Sequence, residues 1–589
     1  MKNKSSITLL SKFLRPWKKN IFLASLYSSL NKIFDIAPEV LIGVAVDLVV
    51  KKNDSFIASL GFETISSQVL FLGFITFLIW ALESFFEYLY MIEWRGLAQK
   101  VEHKLRVDAY DHAQKLDLSW HEKQTTGNIS AILNDDINQL ERFINNGVNQ
   151  LIQVLVSTVV IGFIFFYISP IIATIAVLPV PIIFLISLFF QKRLSPRYKE
   201  VREKVGILNA SIVNNLIGIQ TLKAFITFLF EKNRIDKISK DYQDANIKTI
   251  SLSSAFNPII RMGVLAGFLG TILIGSHMAL NGTLAVGSYS VLVFLTQRFL
   301  WPFTSLSVLI DDFERSMASS NRIFELKNTR IIVKDHSDAV ETKNLKSDII
   351  FKNIRFSYNE SEPILENFNM HIPFGSSIGI VGDTGSGKTT ISKLLLRFYD
   401  PQKGKIRIGD IDIKDIKISS LREKMAIVTQ EPFLFNSSIK DNISYGSEDV
   451  NFDEIQNAAE KSQAIEFISR FENGFDTLIG ERGQTLSGGQ KQRISIARAL
   501  LKKPDILIFD EATSSVDNKT EQLIQKSFFD STNDRTSIII AHRLSTIRNC
   551  DKIYVLKEGA ICQEGSHKQL INQRESFYQQ LWNIQTGYN

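Results

Sequence analysis

Cysteine is nearly absent. Only Cys550 and Cys562 occur in 589 residues. No disulfide framework is available, and neither residue lies in a Cys/His cluster of metal-ligand spacing. Both are expected to be free thiols in a reducing compartment. An excess of one charge is missing too, with 67 Lys and Arg against 61 Asp and Glu. No basic stripe interleaves with stacking aromatics, so no nucleic-acid partner is expected. Lys2 and Lys4 lead into a short mixed segment without an isolated apolar core or a small-residue cleavage site, which argues against a removable signal peptide. Ile7 to Trp17 instead has the pattern of an amphipathic helix lying on a membrane surface. Phenylalanine is plentiful, at 42 residues, and suits a lipid-facing surface better than a soluble core. The mean hydropathy of +0.04 fits an average over an apolar half and a soluble half.

The apolar half holds six long segments, at about 21–50, 67–90, 147–168, 170–190, 254–280 and 284–307, each enough for a span of about 20 apolar residues. Breakers separate neighbours at Ser169-Pro170 and at Asn281-Gly282-Thr283. Lys and Arg set the orientation. The first 20 residues hold six, loop 91–146 seven and loop 191–253 twelve, whereas the opposite connections hold only Lys51 and Lys52. That asymmetry places both termini, both long loops and the second half in the cytoplasm. Leu133, Ile137, Leu140 and Ile144 recur at helical spacing, so helices extend beyond the membrane.

Charges inside the spans are few. Lys32, Asp35, Glu39 and Asp47 mark the first span as the one that lines a cavity. Glu83 and Glu87 share one face of the second. Arg298 stands about 14 residues, or ~20 Å, into the sixth span. A charge at that depth requires an acidic partner on a neighbouring span, or serves as a possible contact for an anionic substrate group.

After a polar linker, residues 327–346, short apolar runs alternate with helical patterns, as in an α/β domain. Four runs end in polar residues: 377–381 before Gly382, 426–429 before Gln430, 506–509 before Asp510 and Glu511, and 538–541 before His542. Continuous apolar runs suit strands of a parallel sheet buried on both faces, and ligands bind beyond the carboxyl ends of such strands. The run Gly382, Asp383, Thr384, Gly385, Ser386, Gly387, Lys388, Thr389 and Thr390 contains G-x-x-x-x-G-K-T, a loop whose backbone amides close around phosphates. Lys388 is expected on the β- and γ-phosphates of ATP, with Thr389, Asp510 and Gln430 on Mg²⁺. Glu511 is the candidate general base, and His542 and Gln430 the candidate sensors of the γ-phosphate. Tyr358, 24 residues before the loop, is placed to stack on adenine. A second anion site opens at Ser487, Gly488, Gly489 and Gln490, at the start of a helix with an Ile494, Ala497, Leu501 stripe. Two anion sites for one nucleotide are explained by two copies facing each other, each ATP held between the Lys388 loop of one and Ser487 of the other.

The strings GDTGSGKTT, LSGGQ, ILIFDE and AHR, with Tyr358, TQEPFLF around Gln430 and Ser515-Val516-Asp517, resemble the motifs of the ATP-binding cassette (ABC) transporters. The whole chain resembles the half-transporter exporters of that family, in layout the bacterial lipid and multidrug exporters. The resemblance implies a helical membrane domain of six transmembrane helices with long cytoplasmic extensions plus an α/β P-loop domain. Segments are then 1–20 interfacial, 21–326 transmembrane, 327–346 linker and 347–589 nucleotide-binding. It implies Asp517 as the D-loop residue, and LIGERG (Leu478 to Gly483) as the loop that meets coupling segments near Leu118 to Gly127 and Gly218 to Phe225. It also implies ATP-driven export or flipping of an amphipathic lipid, drug or peptide by alternating access, in a bacterial cytoplasmic membrane. The partner is a second copy or a paralogous half-transporter, with membrane lipid around both. No N-terminal peptidase domain is expected before the first span, which argues against the leader-cleaving peptide exporters. An exporter-shaped importer and an ATP-gated channel or regulator are the alternatives on the same scaffold.

Overall fold

An α-helix rises about 1.5 Å per residue, so the 53 residues of Phe228–Leu280 run about 80 Å, far beyond a bilayer's hydrocarbon core. This is the dimension expected of spans that continue past the membrane. The computed structural model describes residues 2–304, 306–359, 362–447, 449–512, 522, 535–541, 543–573 and 575–586. The chain forms two units, 1–114 with 126–329 and 115–125 with 330–589.

Five helices of the first unit are long and apolar enough to cross a membrane among the described residues: Ile65–Lys115, Thr126–Ile168, Pro170–Ile217, Phe228–Leu280 and Val286–Asn328. They correspond to the second through sixth expected spans. The first, Lys18–Lys51, is a continuous 34-residue helix, but its four interior charges keep it out of the apolar set. It belongs to the bundle through packing. Its Ile36 is buried in one core with Ile161 and Phe165 of the third span, Ile183 of the fourth, Ile260 of the fifth and Leu295 of the sixth. Both expected turns form. Ser169 caps the helix that starts at Pro170, and Gly282 turns at a φ of 72°. Ile137, Leu140 and Ile144 are buried together with Trp94, Val101 and Ile323, which explains their helical spacing.

The N-terminal helix Lys2–Leu14 packs part of its apolar face on protein. Leu10 is buried in the same cluster, and the Phe13 ring packs edge-on against Phe324 at 6.2 Å. Amphipathic spacing specifies an apolar face, and here the end of the sixth span covers part of it.

The first and sixth spans approach at Gly43 and Gly287. The Gly287 amide donates to Asp47 Oδ1 at 2.9 Å. Without a hydrophobic drive between membrane helices, close backbone contact of this kind is a main source of their affinity.

The second unit is built on two sheets. An antiparallel one has the order β2-β1-β4-β5, from β1 (Ile349–Phe356), β2 (Leu365–Ile372), β4 (Lys403–Ile408) and β5 (Ile411–Asp412). The other has the order β10-β9-β3-β8-β7-β6. Its strands are β3 (Ser377–Gly382), β6 (Met425–Val428), β7 (Ile506–Asp510), β8 (Thr536–Ile540), β9 (Lys552–Lys557) and β10 (Ala560–Gly565). Strands β9, β3, β8, β7 and β6 are parallel, and β10 is antiparallel to β9. The four apolar runs of the sequence are thus four adjacent parallel strands, and every residue of β7 and β8 is buried. A separate helical subcore gathers Ile439, Ile455, Phe467 and Ile494.

The short helix Leu118–Lys123, between the second and third spans in sequence, belongs to this second unit. Glu122 accepts from Lys393 Nζ at 2.8 Å and from the Tyr399 hydroxyl. The other expected coupling segment is the helix Ile219–Phe225 of the first unit, with Phe225 and Ile226 exposed.

A Cβ on Gly287 would lie 2.4 Å from the Gly43 carbonyl oxygen and 2.5 Å from Asp47 Oδ1, whereas one on Gly162 meets nothing within 4 Å. Gly287→Val should therefore cost about 3 kcal/mol or more, and Gly162→Ala should be near neutral. Thermal unfolding of the two variants in the same lipid environment measures the difference; equal melting would refute the close-contact account.

Candidate functional site

The β3 strand delivers the chain to Gly382, whose φ of +152° leaves no room for a side chain; a Cβ there would sit 2.1 Å from the Leu556 carbonyl oxygen. The loop then closes onto the helix Lys388–Leu395. Lys388 is only 6% exposed, and its ammonium turns back to donate to the carbonyls of Gly382 at 2.9 Å and Asp383 at 2.8 Å. Burial holds this amine below the ordinary lysine value, against the pull of Glu511, Asp383 and Asp510. Ser386 is buried, and its hydroxyl has no hydrogen-bond partner among the described residues. A buried hydroxyl and a buried ammonium at a helix N-terminus, inside a loop of backbone amides, fit a phosphate group.

Asp510, the last residue of β7, is paired in register with Ile540, and Ile540 with Ile380 of β3. Its Oδ1 accepts from Thr389 Oγ1 at 3.3 Å. Burial raises the Asp510 carboxyl above the ordinary value and the charge of Glu511 adds to this, while Thr389, Ser392 and Lys388 oppose it. A hydroxyl and a buried carboxylate facing each other fit a hard divalent cation, which prefers oxygen ligands. Glu511 follows with a φ of +55°, its amide donating to the Ile540 carbonyl at 2.9 Å. That left-handed backbone costs about 1 kcal/mol or more and turns the chain out of β7 at the position where the attacking water is expected. Gln430 lies exposed two residues beyond β6. So Gly382, Gln430, Asp510 and Glu511 meet at one edge. His542 and Asp517, with the rest of the expected D-loop, lie outside the described residues.

Tyr358 donates or accepts at 3.2 Å with the Thr390 hydroxyl, and its ring stands perpendicular to Tyr399 at 5.3 Å. Lys393 sits 5.3 Å from the centre of the Tyr358 ring. Sequence reasoning missed Tyr399, Lys393 and Glu122. The nearest signal was the position of Tyr399 just past the phosphate-loop helix.

Ser487 caps the helix Gly488–Leu501. Its hydroxyl accepts from the Gln490 amide at 3.3 Å, and the Gln490 side chain accepts from the Ser487 amide at 2.8 Å. Ser487 and Gly488 are exposed and Gly489 is half-buried, while Ile494, Ala497 and Leu501 are buried in the helical subcore. The signature thus opens from the subcore and the phosphate loop from the sheet.

In the first unit, Arg298 Nε donates to Glu39 Oε1 at 2.6 Å and Nη1 to Asp35 Oδ1 at 2.8 Å. Of the two sequence readings, the geometry displays the ion pair with acids of a neighbouring span. An anionic substrate group at Arg298 would have to compete with both carboxylates.

Residues 21–303 match the family described as the ABC transporter transmembrane region, and residues 365–514 match the family described as ABC transporter. The chain is 33% identical to an uncharacterized ABC transporter ATP-binding protein, YknU, of Bacillus subtilis, across 87% of this chain and 88% of that one. It is 34% identical to an ATP-dependent lipid A-core flippase of Photorhabdus laumondii, across 85% of each. A bacterial Atm1-family ABC exporter, solved with ATP bound, superposes with a TM-score of 0.83 at 28% identity, across 97% of this chain and 98% of that one.

The unpartnered Ser386 hydroxyl separates stability from binding. Ser386→Ala removes a buried polar group with no internal partner, so the nucleotide-free protein should gain about 1 kcal/mol. ATP affinity should fall in the same variant. Thermal melts without nucleotide and an ATP titration check both; loss of stability together with unchanged affinity would contradict the assignment.

Proposed function

We propose that this chain, which belongs to the ABC transporter family, works as one half of a dimeric exporter or flippase that moves an amphipathic substrate across a bacterial cytoplasmic membrane. It is a multi-pass membrane protein with an ABC ATPase coupled to transport. The observation that carries the finer reading is the convergence of four strand ends on one edge, in the same chain as a bundle of long membrane helices. The Lys and Arg bias supports a cytoplasmic location for both termini and the ATPase unit.

In this reading Lys388 leaves the loop carbonyls to engage the β- and γ-phosphates, and the Ser386 hydroxyl gains its missing acceptor. Tyr358 offers its ring to the adenine. Thr389, Asp510 and Gln430 hold Mg²⁺, which when bound neutralises charge developing on the transferred phosphoryl group. A cation held there would favour the charged form of Asp510, against the burial that raises its carboxyl. Glu511 takes the proton of the attacking water and His542 contacts the γ-phosphate. Asp517 lies at the interface between copies. Ser487, Gly488 and Gly489, at a helix start, donate to the same phosphates across that interface.

Glu511→Gln should keep ATP binding while hydrolysis falls by roughly 10²–10⁴, which single-turnover assays resolve. Hydrolysis near the wild-type rate would remove Glu511 as the base. The dimer is tested by mixing Ser487→Arg with Lys388→Ala subunits. In a homodimer both defects fall in one composite site and the other stays intact, so ATP binding should reappear in the mixture. Activity only with a different half-transporter would replace the homodimer by a heterodimer.

A further inference from the structure

We propose that the cleft between the first, second and sixth spans binds the cationic head of the substrate: a protonated amine or other organic cation on an apolar or aromatic body. This rests on the transport reading above and names the substrate chemistry within it. The cleft has a volume of about 480 Å³ and is lined by Asp35, Glu39, Trp80, Glu83 and Arg298, among others. That is within the range of about 300–1,000 Å³ typical of small-molecule sites.

The charges of the cleft do not balance. Asp35 spends both oxygens, Oδ1 on Arg298 at 2.8 Å and Oδ2 on Lys32 at 2.7 Å. Glu39 gives Oε1 to Arg298 at 2.6 Å, and the residue is only 8% exposed. Its Oε2 is buried with no hydrogen-bond partner among the described residues. The Glu83 carboxylate has no hydrogen bond or ion pair among the described residues. Three carboxylates therefore face two cations, and the unmet accepting capacity sits on Glu39 and Glu83. An unpaired carboxylate in a membrane bundle is costly, so the missing partner is a cation.

The kind of cation follows from what is already taken. A hard metal ion asks for about six to eight oxygens, and Arg298 and Lys32 occupy three of the oxygens of Asp35 and Glu39. An organic cation needs fewer oxygens and gains from an aromatic face. Trp80 supplies that face; it lines the cleft and is 59% exposed. Arg298 acts as a positioning residue, fixing Asp35 and Glu39 while leaving Glu39 Oε2 unused. An anionic headgroup would meet the surplus carboxylates.

The test uses the full chain in lipid nanodiscs, with fluorescence anisotropy of rhodamine 6G as the cationic probe and 1-anilinonaphthalene-8-sulfonate as the anionic one. The Kd of rhodamine 6G should rise at least about tenfold in Glu83→Gln and in Glu39→Gln, and about fivefold in Trp80→Ala. Glu39→Gln disturbs the Arg298 pair and risks the fold. Glu83→Gln breaks no pair, and an ATP-binding isotherm identifies any misfolded preparation. Unchanged rhodamine 6G affinity in Glu83→Gln and Trp80→Ala overturns the proposal, as does tighter, competing binding of the anionic probe. Discs of phosphatidylethanolamine or of phosphatidylglycerol separate the sources. Weaker probe binding in phosphatidylethanolamine supports a lipid amine as occupant, and equal binding in both supports a soluble cation. A chain that hydrolyses ATP and transports other compounds, yet ignores these substitutions, refutes this site alone. A chain without ATP hydrolysis in any disc refutes the transport reading instead.

Discussion

A charge taken out of water has to be met by another charge or by aligned dipoles, and both units of this chain are arranged around that demand. In the second unit a buried ammonium, Lys388, rests on two carbonyls of its own loop, and a buried carboxylate, Asp510, rests on a hydroxyl. In the first, Arg298 rests on Asp35 and Glu39. Elsewhere the same chemistry is purely structural. The Asp136 carboxylate, at 7% exposure, accepts from Arg322 Nε at 2.7 Å and from Ser319 at 2.9 Å, with its oxygens satisfied. The difference between a strut and a site lies in what is left over. Ser386 Oγ and Glu39 Oε2 are left over.

The sheet turns that principle into a machine part. Because β6, β7, β8 and β3 are adjacent and parallel, their carboxyl ends share one edge, and three stretches far apart in sequence deliver Gln430, the pair Asp510 and Glu511, and the loop to it. Burial of both sheet faces forces the strands to be continuous apolar runs. The polar residues at their ends are then the first that can reach solvent or ligand.

This is why the second unit was legible in the sequence. Unbroken runs such as Ile506-Leu507-Ile508-Phe509 report a strand buried on both faces, and the glycines of the phosphate loop report backbone that no side chain tolerates. The helix-start logic at Ser487 was equally readable, since its apolar stripe and capping pattern are local. Other features were not local. Arg298 announced that a charge needed a partner, but Asp35 and Glu39 stand 263 and 259 positions away. Glu122 meets Lys393 across 271 positions. The N-terminal helix displays the same amphipathic pattern whether lipid or Phe324 covers it, so the pattern alone does not name Phe324 as a neighbour. The first span's charges suggested a cavity lining, and Asp35 and Glu39 do line one.

The exposed signature carries the argument beyond one chain. Ser487 and Gly488 are held at a helix start by a reciprocal cap with Gln490 and by a stripe buried in a separate subcore. A helix N-terminus presented to solvent, with small residues that let a phosphate approach, has its anion-binding capacity open. The Lys388 loop opens from the sheet rather than from that subcore, so the two anion sites stand on different supports within one unit. In the proposed dimer a nucleotide that uses both draws the second site from the other copy. Its binding energy then depends on how two units are held together, which is the property that lets phosphate chemistry at one edge of a sheet act on membrane helices continuous with the rest of the chain.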